Sequence, residues 1–343
     1  MILMNSFSTE KAIDEFLATR SIEVKAFLQS KCPRIFASTS IPVPLQRDAE
    51  SDESWYPPGH GNIFKSMDFT GVLDELIAQG RDICFISNID NTGATIDLRI
   101  AKLMVDSDLD YVMECTDKTE ADKKGGTLIE INGHIMHLEM PQVPEDHISD
   151  FCSTDLFKIF NTNNIWVNLR AVKKKLATMK MEIIVNKKTL SSGELVNQLE
   201  TSLGGAIRNF DKVLSIKVPR SRFIPVKKTQ DLLIVMSDIY EISDDYSLQM
   251  RCTGTKHLPI VELSEHFSKI SEFQRRFPEI PSLREMASLK IIGDVYFGRN
   301  VTLKGCVEII VDEGQQLTIK DGECLENIRL IRKSNSETRL VQL

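Results

Sequence analysis

The sequence lacks long apolar runs and blocks of like charge. No apolar stretch among its 343 residues approaches the roughly 18 residues of a membrane span, and the apolar start is too short for a signal-peptide core. The net charge of −7 is spread along the chain, which argues against a nucleic-acid-binding surface. We therefore expect a cytoplasmic protein that has neither a membrane nor a nucleic acid as a partner.

Paired cysteines and an early glycine-rich segment are also missing. The seven cysteines are odd in number and form no Cys-x-x-Cys motif, which predicts free thiols in a reducing compartment. No glycine occurs before Gly59, although a phosphate-cradling loop of an α/β protein normally follows the first strand and is rich in glycine. The sequence therefore has no such loop.

The length and the distribution of glycine and proline predict two domains. We place an α/β domain at residues 1–250 and a linker with a second, β-rich domain at residues 251–343. From Leu289 to Leu330, strands of two to five residues alternate with glycines. This pattern is typical of a small β-helix, in which each coil buries its face by stacking on the next, and a small β-sandwich is the alternative.

The most informative stretch of the α/β domain runs from Phe85 to Ala94. Residues Ile83 to Ile86 form a short apolar run that predicts a fully buried central strand of a parallel sheet, and the chain continues with helical spacing. Asp90 then lies at the carboxyl end of the strand, where ligands of open α/β sheets bind, and it can hold a divalent cation against a phosphate. An Asn/Asp turn without a ligand explains the same residues equally well.

Three further features have a functional and a structural interpretation. His60 lies in the turn Trp55 to Gly61, where it either contacts a ligand or serves the fold. The amide-rich run from Phe160 to Trp166 resembles the Asp90 tip and can bind sugar hydroxyls, or it is a capped turn. The basic stretch Lys217 to Lys228 is either a phosphate clamp or a solvated strand edge.

A β-hairpin is predicted at Asn132-Gly133, because these two residues join alternating apolar runs. His134 and His137 lie three apart in its second strand. Side chains at odd spacing in a strand point to opposite faces, so we do not expect these histidines to share a metal ion.

Eight stretches of the chain match a known family in the same order. They are Leu3 to Phe7, Trp55 to Gly61, Asn88 to Ala94, Lys124 to Thr127, Gln142 to Pro144, Lys158 to Trp166, Met181 to Ile184 and Val218 to Lys227. In these stretches the chain resembles the eukaryotic UDP-glucose pyrophosphorylases, also called UTP–glucose-1-phosphate uridylyltransferases. The resemblance extends over nearly the whole chain and is specific. The resemblance implies a nucleotidyltransferase α/β domain with a Rossmann-like mixed sheet, followed by a left-handed β-helix that often mediates oligomerisation in such enzymes, and it therefore implies a homo-oligomer.

The resemblance also implies an activity, a cofactor and a set of site residues. Enzymes of this family use Mg²⁺ to make UDP-glucose and pyrophosphate from UTP and glucose 1-phosphate. By position, the implied roles are uracil contacts for Gln29 and Gly59, a sugar-phosphate contact for His60, nucleotide and sugar contacts for Asn88, Ile89 and Asp90, magnesium binding for Asp90, a glucose hydroxyl contact for Asn163, and the catalytic phosphate-binding lysine for Lys227.

One family feature has no match in this sequence. The family's first strand and its glycine-rich loop, of the type Leu-Asn-Gly-Gly-Leu-Gly-Thr, wrap the triphosphate, whereas the resemblance here starts at Met1 to Phe7. Two functions therefore stay open. The first is a uridylyltransferase, and the second is a catalytically impaired truncated isoform or fragment that binds sugar nucleotides or enters oligomers through its β-helix.

Overall fold

The computed structural model describes residues 1–44, 52–119, 122–251, 258–334 and 338–342. The chain forms two compact units of a mixed α/β protein. The first comprises Met1–Asn88 and Ile96–Arg220, and the second comprises Ile89–Thr95 and Ser221–Leu343. None of the helices in the described ranges combines the length and the apolar character that crossing a membrane requires.

The helices and strands of the first unit are given in chain order. They are β1 (Ile2–Asn5), α1 (Glu10–Arg20), β2 (Lys25–Leu28), β3 (Cys32–Pro33), β4 (Ile35–Phe36), β5 (Trp55–Tyr56), α2 (Ile63–Phe69), α3 (Val72–Ala78), β6 (Ile83–Ile86), α4 (Leu98–Asp106), β7 (Tyr111–Asp117), β8 (Thr127–Ile131), β9 (His134–Leu138), α5 (Ile148–Cys152), β10 (Ile159–Asn168), α6 (Leu169–Lys175), β11 (Ile183–Thr189), β12 (Leu195–Thr201) and β13 (Val213–Lys217).

A four-stranded mixed sheet with the order β13-β7-β10-β6 forms the centre of the first unit. β13 and β7 are parallel, whereas β10 is antiparallel to both of its neighbours, with Trp166 opposite Val112 on one side and Phe85 on the other. The prediction of a fully buried central strand at Ile83–Ile86 is wrong. These residues are half-buried because β6 lies at the edge of this sheet and pairs antiparallel with β10.

The core of the first unit lies on both faces of β7, whose residues from Tyr111 to Thr116 are all buried. On one face the Tyr111 hydroxyl donates to the Leu203 carbonyl at 2.9 Å within a large apolar cluster. On the other face Trp166 packs with Ile100 of α4. Burying such side chains contributes about 1.5–3 kcal/mol each, so β7 anchors the residues that flank it.

The predicted hairpin is confirmed. β8 and β9 pair antiparallel, and the turn residues Asn132 and Gly133 both have the left-handed φ values, 52° and 80°, that a two-residue hairpin turn needs. His134 is exposed, whereas His137 is buried, as expected for residues on opposite faces of a strand.

The second unit contains the stacked strands that follow the α/β unit. Its elements are α7 (Thr229–Met236), β14 (Tyr240–Ile242), β15 (Leu248–Met250), β16 (Ile260–Leu263), α8 (Ile270–Arg276), β17 (Ser282–Ile292), β18 (Asp294–Phe297), β19 (Thr302–Val311), β20 (Gln316–Ile319), β21 (Cys324–Arg332) and β22 (Arg339–Gln342).

Parallel pairing dominates the second unit. One sheet has the order β16-β17-β19-β21-β22, in which all pairs except β21 with β22 are parallel, and β18 pairs parallel with β20. Inward-facing residues stack in register, for example Ile291, Ile309 and Leu330. This parallel pairing differs from the antiparallel sheets of a β-sandwich, the alternative fold.

The two compact units divide earlier in the chain than the predicted boundary between residues 250 and 251. Leu233 of α7 and the nearby Ile239 are buried in the same apolar cluster as the stacked strands, which draws the chain from Ser221 onward into the second unit. Residues 252–257 lie outside the described residues. Six cysteines are free in the described ranges, as predicted, and Cys252 lies outside them.

Candidate functional site

Two asparagines meet in the first unit, Asn88 just after β6 and Asn163 in the middle of β10. The Asn163 side-chain amide donates to Asn88 Oδ1 at 2.9 Å, and the Asn163 N–H donates to Asn161 Oδ1 at 2.8 Å. Asn163 has a φ of 63°, a left-handed conformation that asparagine adopts more readily than most residues. Its Oδ1 is buried and has no partner among the described residues, so it is an acceptor that a ligand hydroxyl can use.

Gln29 and the turn at Gly59 supply a second set of polar groups. The Gln29 backbone is fixed by its N–H, which donates to the Asn5 carbonyl at 2.8 Å. Its Oε1 is buried without a partner in the described part of the chain. Gly59 has a φ of 88°, and a Cβ there would lie 2.7 Å from the Thr201 carbonyl oxygen, so the close approach of this turn to β12 requires glycine.

His60 follows this glycine, and its ring orientation is set by the backbone. The Leu203 N–H donates to His60 Nδ1 at 3.1 Å, which makes Nδ1 an acceptor and leaves the proton of the neutral ring on Nε2. His60 is exposed by surface area, yet the surrounding protein desolvates its ring enough to lower its pKa. The Nε2–H group is thus a donor for an anionic or polar ligand.

A buried cluster around His137 was not recognised in the sequence. Asn161 Oδ1 accepts from Asn163, so the Asn161 amide donates to His137 Nε2 at 3.3 Å, and His137 Nδ1 lies 3.6 Å from Glu139 Oε1. Ser202 Oγ lies 3.3 Å from the same carboxylate oxygen. Burial lowers the pKa of His137 to about 4 and raises the pKa of Glu139. This cluster supports Asn163 through Asn161.

Two glycines leave room for the ring of His137. A Cβ at Gly126 would lie 2.5 Å from His137 Nε2, and one at Gly204 would lie 2.7 Å from Nδ1. The ring therefore occupies a slot between two glycines that belong to Gly-Gly pairs. These pairs were visible in the sequence, but the histidine that they enclose is distant in sequence from Gly204.

In the second unit, Asn91 fastens the segment that carries Asp90. Asn91 Oδ1 accepts from the N–H groups of Gly93 and Ile224 at 3.1 and 2.9 Å, and its amide donates to the Arg222 carbonyl at 3.0 Å. The Val226 N–H donates to the Asp90 carbonyl at 2.8 Å. The backbone of Asp90 therefore lies opposite Val226, the residue before Lys227.

The backbone of Lys227 is fixed from the other side by the start of α7. The N–H groups of Lys227 and Lys228 each donate to Asp231 Oδ2 at 2.9 Å. Within the described residues neither the Asp90 carboxylate nor the Lys227 ammonium has an ion-pair partner. A carboxylate and an ammonium with unused charge are thus held on adjacent backbone segments.

Several cations of the basic stretch contact other parts of the protein. Lys217 pairs with Asp117 at 2.6 Å, Arg220 pairs with Asp122 at 2.6 Å, and the Arg222 guanidinium donates to the Thr95 carbonyl at 2.9 Å. These contacts give three of its cations partners within the protein. The clamp hypothesis therefore narrows to Lys227 and Lys228.

The donor set fits a magnesium ion that arrives with its ligand. Mg²⁺ is usually held by one or two carboxylates, with substrate phosphates and water completing its octahedron. Asp90 offers one such carboxylate. The described residues contain no group of three or more His, Cys, Asp or Glu side chains that could hold a metal by themselves.

Comparisons with known proteins agree on one family. Residues 1–304 match the family model described as UTP–glucose-1-phosphate uridylyltransferase. The Saccharomyces cerevisiae protein of that name is 45% identical over 336 residues, which are 96% of this chain and 67% of the yeast protein. The Musa acuminata protein is 46% identical over 95% of this chain and 71% of its own length. The chain thus spans about two thirds of these relatives.

Solved structures show the same similarity. A UDP-glucose phosphorylase from Trypanosoma brucei matches with a TM-score of 0.82 and 34% identity, over 96% of this chain and 76% of that one. A variant of the Leishmania major UDP-glucose pyrophosphorylase in complex with UDP-glucose matches with a TM-score of 0.83 and 32% identity, over 96% and 75%.

The pKa of His137 leads to a prediction about stability. Between pH 6.5 and about 4 the unfolded chain protonates this histidine while the native state keeps it neutral, so the free energy of unfolding falls as the pH is lowered. The raised pKa of Glu139 acts in the opposite direction. We expect His137→Asn to reduce the loss of stability between pH 7 and pH 5 by about 2 kcal/mol.

Urea unfolding at the two pH values measures this effect. His134→Asn is the matched control, because His134 is an exposed histidine on the same strand. The control should keep the wild-type pH dependence. A His137→Asn protein with the same pH dependence as wild type would contradict the assignment of a buried neutral histidine.

Proposed function

The chain belongs to the UTP–glucose-1-phosphate uridylyltransferase family, and we propose that it transfers the uridylyl group of UTP to glucose 1-phosphate. A phosphate oxygen of the sugar attacks the α-phosphorus, the bond from that phosphorus to the bridging oxygen of the β-phosphate breaks, and pyrophosphate leaves. The observation that carries the proposal is the hydrogen bond from the Val226 N–H to the Asp90 carbonyl, which holds the backbone of Asp90 against the segment that leads into Lys227.

This reaction needs alignment and charge neutralisation more than covalent chemistry by the protein. Two anionic reactants must approach in line, so catalysis comes from positioning and from charges fixed before the reaction. Lys227 supplies a positive charge for a phosphate group. Asp90 would hold Mg²⁺, which, when bound, neutralises phosphate charge. No side-chain nucleophile is required.

The polar groups of the first unit suit the neutral parts of the substrates. Uracil carries an N3–H donor, and the buried Gln29 Oε1 is an acceptor without a protein partner among the described residues. Gly59 lets its backbone approach the base. Asn163 Oδ1 is the matching acceptor for a glucose hydroxyl, with Asn88 holding its amide. His60 Nε2–H would donate to the sugar phosphate.

Ile89 lies between the two polar residues Asn88 and Asp90, and its side chain is 86% exposed. We propose that Ile89 contacts the nucleotide and sugar with its backbone. The hydrogen bond between the Val226 N–H and the Asp90 carbonyl holds the neighbouring residue in place. We place the reaction in the cytoplasm, in keeping with the free thiols of the described cysteines.

The direct test of the function is the formation of UDP-glucose from UTP and glucose 1-phosphate, which is measured through the pyrophosphate that is released. We expect turnover that requires both substrates and Mg²⁺. Binding of UDP-glucose without turnover would instead support the alternative of a catalytically impaired sugar-nucleotide-binding subunit. A protein that neither binds UDP-glucose nor turns over the two substrates would contradict both candidate functions.

Asp90→Asn tests the proposed magnesium ligand. The substitution keeps the size of the side chain but removes its charge, so Mg²⁺ should no longer strengthen the binding of UTP, and turnover should fall by about 100-fold or more. Calorimetric titration of UTP with and without Mg²⁺ measures the first effect. Asp244→Asn, at an exposed carboxylate of the same unit, is the control and should behave as wild type. Equal Mg²⁺ dependence in Asp90→Asn and wild type would refute the assignment.

We also propose that the stacked strands of the second unit form a left-handed β-helix and that the edge strand β22 mediates homo-oligomer formation. All residues of β22 are exposed, and Leu340 is 63% exposed. An unpaired strand edge can pair with the same edge of a second subunit around a two-fold axis.

Leu340→Lys should therefore shift the sedimentation coefficient to a smaller species, because it places a charge at the proposed contact. Ile260→Lys is the matched control, since Ile260 is 68% exposed on β16, at the opposite edge of the same sheet. This control should leave the particle mass unchanged. An unaltered mass for Leu340→Lys, or a monomeric wild-type protein, would exclude β22 as the assembly surface.

A further inference from the structure

A fully buried glutamate lies beneath the amide-rich part of β10. Glu114 of β7 has no exposed surface. Its two carboxylate oxygens accept hydrogen bonds from two residues of β10, from Trp166 Nε1 at 2.8 Å and from Asn164 Nδ2 at 3.1 Å. Removing a carboxylate from water costs several kcal/mol, and hydrogen bonds offset this cost only in part. An apolar residue would fill the same space without the cost, so we ask what the two hydrogen bonds of Glu114 hold in place.

The register of the sheet shows what the glutamate opposes. Asn161 pairs with Cys115, and the next pair on β10 is Ile165 with Met113. Three residues of β10, 162–164, therefore lie opposite the single residue Glu114. This is a β-bulge, a feature that redirects a side chain out of the regular alternation.

Glu114 also holds the bulge through its main chain. Thr162 Oγ1 donates to the Glu114 carbonyl at 2.8 Å and accepts from the Asn164 N–H at 3.2 Å. Thr162 and Asn164 are both buried, on either side of Asn163, which is only partly buried. Hydrogen bonds of Thr162 and Asn164 thus hold the bulge to Glu114 on both sides of Asn163. Asn163 lies in the middle of the bulge.

We propose that Glu114 is a positioning residue for the sugar half of the substrate. By holding Thr162, Asn164 and Trp166, it keeps Asn163 in its left-handed conformation with Oδ1 directed away from protein donors. This inference rests on the proposed function, in which Asn163 Oδ1 accepts from a glucose hydroxyl. Glu114 itself touches no substrate, and its effect is confined to ligands that carry the sugar.

Glu114→Gln tests the proposal with little change in shape. An amide has one acceptor oxygen, so the glutamine NH₂ must face either the indole N–H or the Asn164 NH₂, and two donors repel. We expect affinity for UDP-glucose to fall about tenfold and affinity for UDP, which lacks the sugar, to stay within about twofold. Calorimetric titration of both ligands with Mg²⁺ gives the ratio.

A second substitution should reverse the effect. Glu114→Gln combined with Trp166→Phe removes the indole donor that the glutamine NH₂ would face, so the preference for UDP-glucose over UDP should return to within about threefold of wild type. Thr162→Val unfastens the bulge from the Glu114 carbonyl and should lose the preference in the same way. If Glu114→Gln alone does not fold, Thr162→Val provides the same test of the bulge.

The control is Val112→Ala, which opens a cavity on the same strand without removing a hydrogen bond. Val112 is fully buried and packs in one cluster with Trp166. Its substitution should lower the melting temperature but leave the ratio of the two affinities unchanged. This separates a positioning role from a general loss of stability.

Several outcomes would overturn the proposal. If Glu114→Gln or Thr162→Val weakens UDP-glucose and UDP equally, or leaves both unchanged, Glu114 has a structural role only. A double variant that folds but fails to regain the preference would also contradict the hydrogen-bond argument. A wild-type protein that binds UDP as tightly as UDP-glucose would instead overturn the role of Asn163 in the proposed function, and this assignment with it.

Discussion

Polar groups that leave water on folding need hydrogen-bond partners, and this constraint governs the arrangement of the candidate site. Asn91 satisfies it by bonding two N–H groups and one carbonyl, which fixes the Asp90 segment. Glu114 satisfies it by accepting from Asn164 and Trp166. His137 satisfies it between Asn161 and Glu139. In each case a buried side chain fixes the position of Asp90 or Asn163. The Asp90 carboxylate has no ion-pair partner and Asn163 Oδ1 has no hydrogen-bond partner among the described residues.

The two compact units contribute different chemistry. The first presents amide oxygens and a neutral imidazole, which suit the uracil and sugar groups of a nucleotide sugar. The second holds one carboxylate and one ammonium on segments that are joined by backbone hydrogen bonds, which suits phosphate and a divalent ion. In the proposed transfer the protein only aligns its reactants and neutralises charge, because the substrates supply the reacting atoms.

Local patterns in the sequence predicted what local chemistry determines. The Asn132-Gly133 hairpin and the free cysteines followed from turn preferences and cysteine spacing, and the family followed from ordered motifs. The position of β6 could not be predicted, because strand direction and sheet order depend on distant partners: β10 inserts antiparallel between β6 and β7. The bulge opposite Glu114 and the slot around His137 likewise depend on pairings of residues far apart in sequence.

The proposed reaction is a single in-line transfer in which no protein atom bonds to the uridylyl group. The configuration at the α-phosphorus distinguishes it from a double displacement. When one diastereomer of UTP bearing sulfur on the α-phosphorus reacts with glucose 1-phosphate, a single transfer gives a thio-UDP-glucose with inverted configuration at that phosphorus. Retention would contradict the single transfer, because it requires two displacements and a covalent uridylyl-protein intermediate.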